Sequence, residues 1–223
     1  MDKEELIYTI KELEDKLSDP KALISNRDEE FANLAKSLMR NFQIKRGDKL
    51  YWMTDIEFYI YTDEHKDIIT YPRNCPAGVW FFHPSGVDIA FRSEVPTKPH
   101  PKTGKQKPHL EEGAFFGGIL LRKIKLDDES ARVIDGPLNV CDELFDQFSA
   151  FKKPKDFPRI IKAKRNSLQS PDSCKREGLN PNPKEKVHSI LTNNYIDSVH
   201  LEDELVEPYD SYRIAKYRFH VDS

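Results

Sequence analysis

Apolar and polar residues alternate along much of the middle of the chain, as they do in β-strands. In the run from Asp55 to Tyr61, Ile56, Phe58 and Ile60 fall on one face, and Glu57 falls on the opposite, polar face. Comparable runs predict strands over Lys49–Tyr61, Gly78–Phe82, Val87–Arg92, Ala114–Ile124 and Tyr212–Val221. The second and third strands flank His83-Pro84-Ser85-Gly86, whose residues favour a turn, so we expect a hairpin there.

Apolar residues three and four positions apart predict helices before and after these strands. The helices are expected at Glu4–Leu17, Asp28–Arg40, Gly136–Phe148 and Val187–Leu191. This order of helices, hairpin-connected strands and further helices indicates one α+β domain with a mainly antiparallel, curved sheet. We expect a helical extension at residues 1–27, the domain itself at 28–223, and mobile loops at 96–109 and 166–185, which are rich in Pro and Lys.

Composition narrows the class of protein. The chain has 223 residues, 38% of them hydrophobic and 33% charged, and no stretch is apolar enough to cross a bilayer. Its first residues are acidic, unlike those of a signal peptide. The three cysteines are far apart and lack CxxC spacing, which argues against a zinc site and fits a reducing compartment. We expect a soluble, cytoplasmic monomer without membrane contacts.

Positive charge is concentrated in one part of an acidic chain. The net charge is −3, yet the segment Lys152–Lys186 holds eleven Lys and Arg residues against four Asp and Glu residues. Such a segment can face a polyanion. It can equally be a solvated loop, which is the commoner outcome for a run of charges.

Glu57 is the first candidate for chemistry. A carboxylate in the middle of a stiff strand is held in one place, Tyr59 shares its face, and His65 follows where the strand ends. These groups could form a pocket that activates water. The alternative is a surface strand with a polar outer face, and Arg122 could likewise be no more than an ion-pair partner at a strand end.

Several short motifs along the chain resemble, in the same order, those of the alkyladenine (3-methyladenine) DNA glycosylases. The similarity runs from about Ala35 to Phe219. The matching pieces are Glu57-Phe58-Tyr59, Asp63-Glu64-His65, Thr70-Tyr71-Pro72-Arg73-Asn74, the aromatic hairpin that begins at Pro76, Leu120-Leu121-Arg122, Gly136-Pro137 with Val140-Cys141, and Tyr217-Arg218-Phe219.

The resemblance implies a base-excision enzyme that acts on DNA without a metal or a cofactor. Glu57 would activate the attacking water and Arg122 would share that water. The substrate-binding residues would be Tyr59, His65, Phe82 and Arg92. Phosphate contacts would come from the basic stretch Lys152–Arg165 and from Arg73, Lys102, Lys105 and Lys107, and Ser85 would also face the nucleic acid.

Three positions depart from the family pattern. Ser85 stands where the family carries a bulky wedge for the gap left by an extruded base. Phe82 replaces a pocket tyrosine, and Arg92 replaces an asparagine. A second hypothesis therefore stays open, in which the same fold binds a nucleic acid, nucleobase or nucleoside without chemistry. The enzyme hypothesis predicts that Glu57, His65, Phe82 and Arg122 converge on one cleft.

Overall fold

The computed structural model describes residues 8–110, 113–146, 156–167, 169–195 and 198–221. These residues form a single α+β domain in which the paired strands run antiparallel. The α+β class and the mainly antiparallel sheet predicted from the sequence are therefore confirmed.

The helices are α1 (Ile10–Ser18), α2 (Pro20–Ser25), α3 (Arg27–Asn41), α4 (Pro137–Phe145), α5 (Pro183–Asn194) and α6 (Glu202–Ile214), with a 3-10 turn at Val199–Leu201. The first strands are β1 (Phe42–Arg46), β2 (Lys49–Thr62), β3 (His65–Lys66), β4 (Trp80–His83), β5 (Gly86–Ala90) and β6 (Thr97–Pro99). The later strands are β7 (Gln106–Pro108), β8 (Phe116–Leu126), β9 (Val133–Asp135), β10 (Arg159–Lys162), β11 (Asp172–Cys174) and β12 (Arg218–His220).

Strand β2 organises the sheet. It is 14 residues long and pairs with β8 along one edge from Tyr51 to Tyr61, and the strand order across the sheet is β10-β1-β2-β8-β5-β4. Along the other edge, β2 pairs first with β1 and then with β12, and the register with β8 shifts between Met53 and Ile56. This change of partner places β12, near the end of the described chain, directly beside Glu57.

The main core lies between the sheet and the first three helices. Ile56, Phe58 and Ile60 are fully buried on the face of β2 that the alternation predicted. Leu13 of α1 and Leu23 of α2 belong to the same core cluster. The segment expected to be an N-terminal extension therefore contributes helices to the core of the domain.

A second cluster lies beneath the two late helices. Leu191 of α5 and Tyr209 of α6 pack with Tyr61 and Phe116 from the ends of β2 and β8. These helices cover part of the sheet face that carries Glu57. That face is consequently buried, whereas the alternating pattern by itself predicted a half-exposed strand.

The late part of the chain differs most from the sequence-based prediction. The strand expected over Tyr212–Val221 is wrong at its start, because α6 continues to Ile214 and β12 is only Arg218–His220. Acidic residues in the first turn of α6 favour that helix, although Pro208 lies inside it. Helix α5 is longer than Val187–Leu191, because Asn182 caps it and Pro183 occupies its first turn.

The two segments expected to be mobile loops contain regular structure. Residues 96–109 include the β6–β7 hairpin, and residues 166–185 include β11 and the start of α5. Strands β1 and β10 were not predicted. The predicted helix at Gly136–Phe148 corresponds to α4, and its last two residues lie outside the described part of the chain, as do Glu4–Ile7 of the first predicted helix.

Candidate functional site

Glu57 lies in the interior of the sheet, and its side chain has no exposed surface. Strand β12 places Arg218 opposite it on one side, and β8 places Leu120 opposite it on the other. Oε2 accepts hydrogen bonds from the Tyr59 hydroxyl at 2.7 Å and from Nη1 of Arg122 at 3.2 Å. Oε1 accepts one from the backbone N–H of Glu177 at 2.9 Å. Each carboxylate oxygen therefore has a donor from the protein itself.

Tyr59 is a fixed donor to this carboxylate. Burial, and then the neighbouring charge of Glu57, raise the pKa of the Tyr59 hydroxyl well above its ordinary value. The hydroxyl stays protonated throughout the physiological range and continues to donate to Oε2.

Charges of alternating sign continue outward from Glu57. Nη2 of Arg122 donates to the Glu177 carboxylate at 3.1 Å, and Arg218 contacts the other oxygen of the same carboxylate. Arg218 also binds the buried Asp55 through Nε and Nη2, at distances from 2.6 to 3.1 Å. Each guanidinium group thus joins one buried carboxylate to the partly exposed Glu177.

A buried ion pair anchors the backbone that carries Glu177. Arg176 donates to Asp67 at 2.7 Å, and neither side chain has exposed surface. The guanidinium group also bonds the backbone oxygens of Phe58 and Tyr212 and lies over the Tyr59 ring, 4.6 Å from its centroid. Removing one partner from such a pair typically costs about 3–5 kcal/mol. Arg176 consequently holds the neighbouring Glu177 N–H against Glu57.

A cleft of about 370 Å³ opens beside these residues. Its polar and aromatic lining includes Tyr59, Tyr71, His83, Arg122, Glu177 and Lys186. The Tyr71 and His83 rings stack with their centroids 4.6 Å apart, so the cleft has a flat aromatic side. Depressions of about 240 Å³ against α1 and about 450 Å³ beside Trp52 lie elsewhere and are not lined by Tyr59 or Arg122.

A second buried cluster holds the hairpin that lines the cleft. Asp88 receives Nη1 of Arg73 at 2.6 Å and Nε2 of His83 at 2.9 Å. Burial alone would raise the pKa of Asp88, but the hydrogen bond from His83 and the charge of Arg73 lower it below its ordinary value. The Ser85 N–H donates to Nδ1 of His83, so the proton of this imidazole lies on Nε2 and points to Asp88. These bonds fix the plane of the His83 ring.

The convergence predicted for the four residues is incomplete. Glu57 contacts Arg122, which lines the cleft together with Tyr59, Arg73 and Ser85, but Glu57 itself is not part of the lining. Ser85 lies within 3.2 Å of the Tyr71 hydroxyl. The Arg73 side chain is only 1% exposed and is already paired with Asp88, so it presents little charge to a ligand.

The other predicted site residues lie outside the cleft lining. His65 is buried against Tyr212 and Tyr217. Phe82 is 50% exposed and packs edge-on against Phe145. Arg92 is exposed, and its guanidinium group lies 5.1 Å from the Phe115 ring centroid.

The predicted phosphate-binding lysines are on or near the β6–β7 hairpin. Lys102 and Lys105 lie in its exposed turn, and Nζ of Lys107 donates to the backbone oxygen of Asn193. In the basic stretch Lys152–Arg165, residues 152–155 lie outside the described part of the chain. Arg165 pairs with Asp127 at 2.9 Å.

The described residues contain no group of three His, Cys, Asp or Glu side chains arranged to hold a metal ion. Cys75, Cys141 and Cys174 are free thiols. Among the helices in the described part of the chain, none combines the length and the apolar character needed to cross a membrane.

Sequence reasoning missed Arg176 and Glu177, which complete the surroundings of Glu57. They are 119 and 120 positions after Glu57 in the chain, and no local pattern links them to it. The pairing of His83 with Asp88 was also missed. A signal existed there, because His83 and Asp88 flank the predicted hairpin turn and fall close together once the hairpin forms.

Comparisons of this chain with protein-family models, with curated proteins and with solved structures gave no match. The interpretation of the site therefore rests on its own geometry and on the motifs in the sequence.

Proposed function

We propose that this protein is an N-glycosylase-like hydrolase that releases a modified base from DNA, with Glu57 as the residue that activates water. The observation that carries the proposal is the buried carboxylate of Glu57, held by Arg122 and Tyr59 at the side of an aromatic cleft. The order of the sequence motifs around these residues supports the same assignment.

The chemistry follows from the residues that surround the carboxylate. Water attacks the sugar carbon while the carbon–nitrogen bond breaks, and the bond electrons leave with the base. Glu57 accepts a proton from the water, and its negative charge stabilises the cationic sugar in the transition state. The hydrogen bond from Arg122 orients the Glu57 carboxylate.

The cleft can accept a flat ring. Tyr59, Tyr71 and His83 present aromatic groups along it, and Lys186 adds positive charge at its edge. Stacking on aromatic side chains suits any base, and the negative faces of these rings favour a base that carries positive charge after alkylation.

The test is release of free base from alkylated and from deaminated DNA, each offered single-stranded and double-stranded. We expect release by the wild-type protein and a loss of at least about a hundredfold in Glu57→Gln, the scale of a general base. Glu94→Gln, which removes an exposed carboxylate elsewhere, serves as the control and should act like the wild type. Equal release by Glu57→Gln and the wild type would contradict the assignment of Glu57.

A second candidate function is binding of a nucleic acid or nucleoside without hydrolysis. One observation favours it: each oxygen of Glu57 already has a donor, and the side chain has no exposed surface for an attacking water. Binding of single-stranded DNA by the wild-type protein, with no release from any of the four substrates, would support this candidate and exclude the hydrolase.

A further inference from the structure

Two guanidinium groups converge on one carboxylate at the edge of the cleft. Arg122 and Arg218 each direct an N–H group to a different oxygen of Glu177. Two guanidinium groups around one anion are the arrangement with which proteins bind phosphate, because their planar forks match its oxygens. In this structure, a side chain of the protein itself occupies the place of the anion.

The three side chains differ in how firmly they are held. The Arg122 and Arg218 side chains are 17% and 14% exposed, and each is tied to a buried carboxylate, Glu57 or Asp55. The Glu177 side chain is 57% exposed. The hydrogen bond from Arg218 lowers the pKa of Glu177, so Glu177 is ionised at neutral pH. Rotation of Glu177 into solvent would leave both guanidinium groups in place and open.

The charge balance restricts what can replace Glu177. Asp55, Glu57 and Glu177 carry three negative charges against the two positive charges of Arg122 and Arg218. A phosphodiester carries one negative charge, as a carboxylate does, and its two free oxygens can meet the two guanidinium groups. The exchange therefore leaves the net charge of the cluster unchanged, whereas a doubly charged phosphate would add a negative charge beside Asp55 and Glu57.

We propose that Arg122 and Arg218 form a binding site for one phosphodiester of a nucleic-acid strand, and that Glu177 occupies this site when no strand is bound. The site shares Arg122 with the proposed hydrolase, so the inference builds on the proposed function. It adds a self-masking contact: a strand gains access only by displacing the Glu177 carboxylate, which lowers affinity for every strand.

The test is binding of a fluorescein-labelled single-stranded oligonucleotide, followed by anisotropy. Glu177→Ala removes the competing carboxylate, and we expect it to bind the strand at least fivefold more tightly than the wild type. Glu204→Gln is the control, since it removes one exposed negative charge that pairs with Lys66 and not with Arg122 or Arg218. It should change affinity less than twofold. Adding Arg218→Lys to Glu177→Ala should remove most of the gain.

The possible outcomes test the masked phosphodiester site separately from the proposed hydrolase activity. If Glu177→Ala binds no more tightly than Glu204→Gln while both melt as the wild type does, the masked site does not exist. If millimolar inorganic phosphate displaces the labelled oligonucleotide, the site binds free phosphate, and the assignment to a nucleic-acid strand is overturned. Tighter binding by Glu177→Ala without release of base would keep the site and exclude the hydrolase. Release of base by the wild type, without tighter binding by Glu177→Ala, would keep the hydrolase and exclude the masked phosphodiester site.

Discussion

Single residues in the candidate site are mostly buried charges that have an opposite charge beside them. Asp67 pairs with Arg176, Asp88 pairs with Arg73, and Glu57 pairs with Arg122. Buried ion pairs add little net stability, because desolvation offsets the attraction between the charges. Their value here is positional, since each pair fixes a group that lines the cleft or contacts Glu57.

His65 is a buried group without such a pairing, and it should make stability depend on pH. Nη1 of Arg27 approaches Nδ1 of His65 at 3.4 Å, and Nε2 has no hydrogen-bond partner among the described residues. Burial, followed by the charges of Arg27 and Arg176, lowers the pKa of His65 to about 3. The folded protein therefore keeps His65 neutral at a pH where the unfolded chain, with a pKa of about 6.5, binds a proton.

The sign of the effect follows from this difference in pKa. The contribution of His65 to stability is fully present above about pH 6.5 and is lost as the pH falls from there towards 3. Between pH 7 and pH 5 the wild type should lose about 2 kcal/mol of unfolding free energy more than His65→Gln, which cannot titrate. Urea unfolding of both proteins at the two pH values measures this. Equal losses would show that His65 is accessible to protons in the folded state.

Strands and helices differ in how well the sequence predicts them. Strand β2 was predicted to within one residue at each end, because an apolar run from Leu50 to Met53 leads into the clear alternation from Asp55 to Tyr61, even though the register with β8 shifts between them. Helix α6 was missed, because Pro208 and a weak apolar stripe obscure its period. The residues that contact Glu57 could be predicted only in part. Tyr59 follows from the strand period and Arg122 from the motifs, whereas Glu177 reaches Glu57 only through tertiary folding.

The contact between β2 and β8 depends on a residue without a side chain. A Cβ atom on Gly117 would lie 2.4 Å from the backbone oxygen of Tyr59 and 3.0 Å from the Cα of Ile60. These are backbone atoms, so they cannot rotate away and the two strands would have to separate. Gly117 therefore determines how closely β8 approaches the part of β2 that carries Glu57 and Tyr59.

Gly117→Ala should accordingly destabilise the protein by about 1–3 kcal/mol, the usual cost of overpacking a buried site. Urea unfolding measures the change, and Lys125→Ala, at a half-buried position on the same strand, controls for the effect of alanine in a strand. A loss in Gly117→Ala no larger than in Lys125→Ala would mean that the strands accommodate the methyl group.

The overall charge of the domain does not favour non-specific binding of nucleic acid. The net charge is −3, and two arginines of the basic stretch Lys152–Lys186 are already paired with carboxylates. Arg176 is buried with Asp67, and Arg165 pairs with Asp127. Affinity for a polyanion must then come from a few cations at one place, and Lys186 and Arg122 line the same cleft.

Two lysines of α5 can test whether a nucleic-acid strand binds at the cleft, because replacing either one removes the same charge. Lys186 lines the cleft, whereas Lys184 is exposed on the same helix and is not part of the cleft lining. Each phosphate contact to a single strand contributes about 0.7 to the slope of log affinity against log salt concentration. Lys186→Ala should weaken oligonucleotide binding and reduce that slope by about 0.7. Lys184→Ala should leave both unchanged, and equal effects of the two substitutions would place the bound strand outside the cleft.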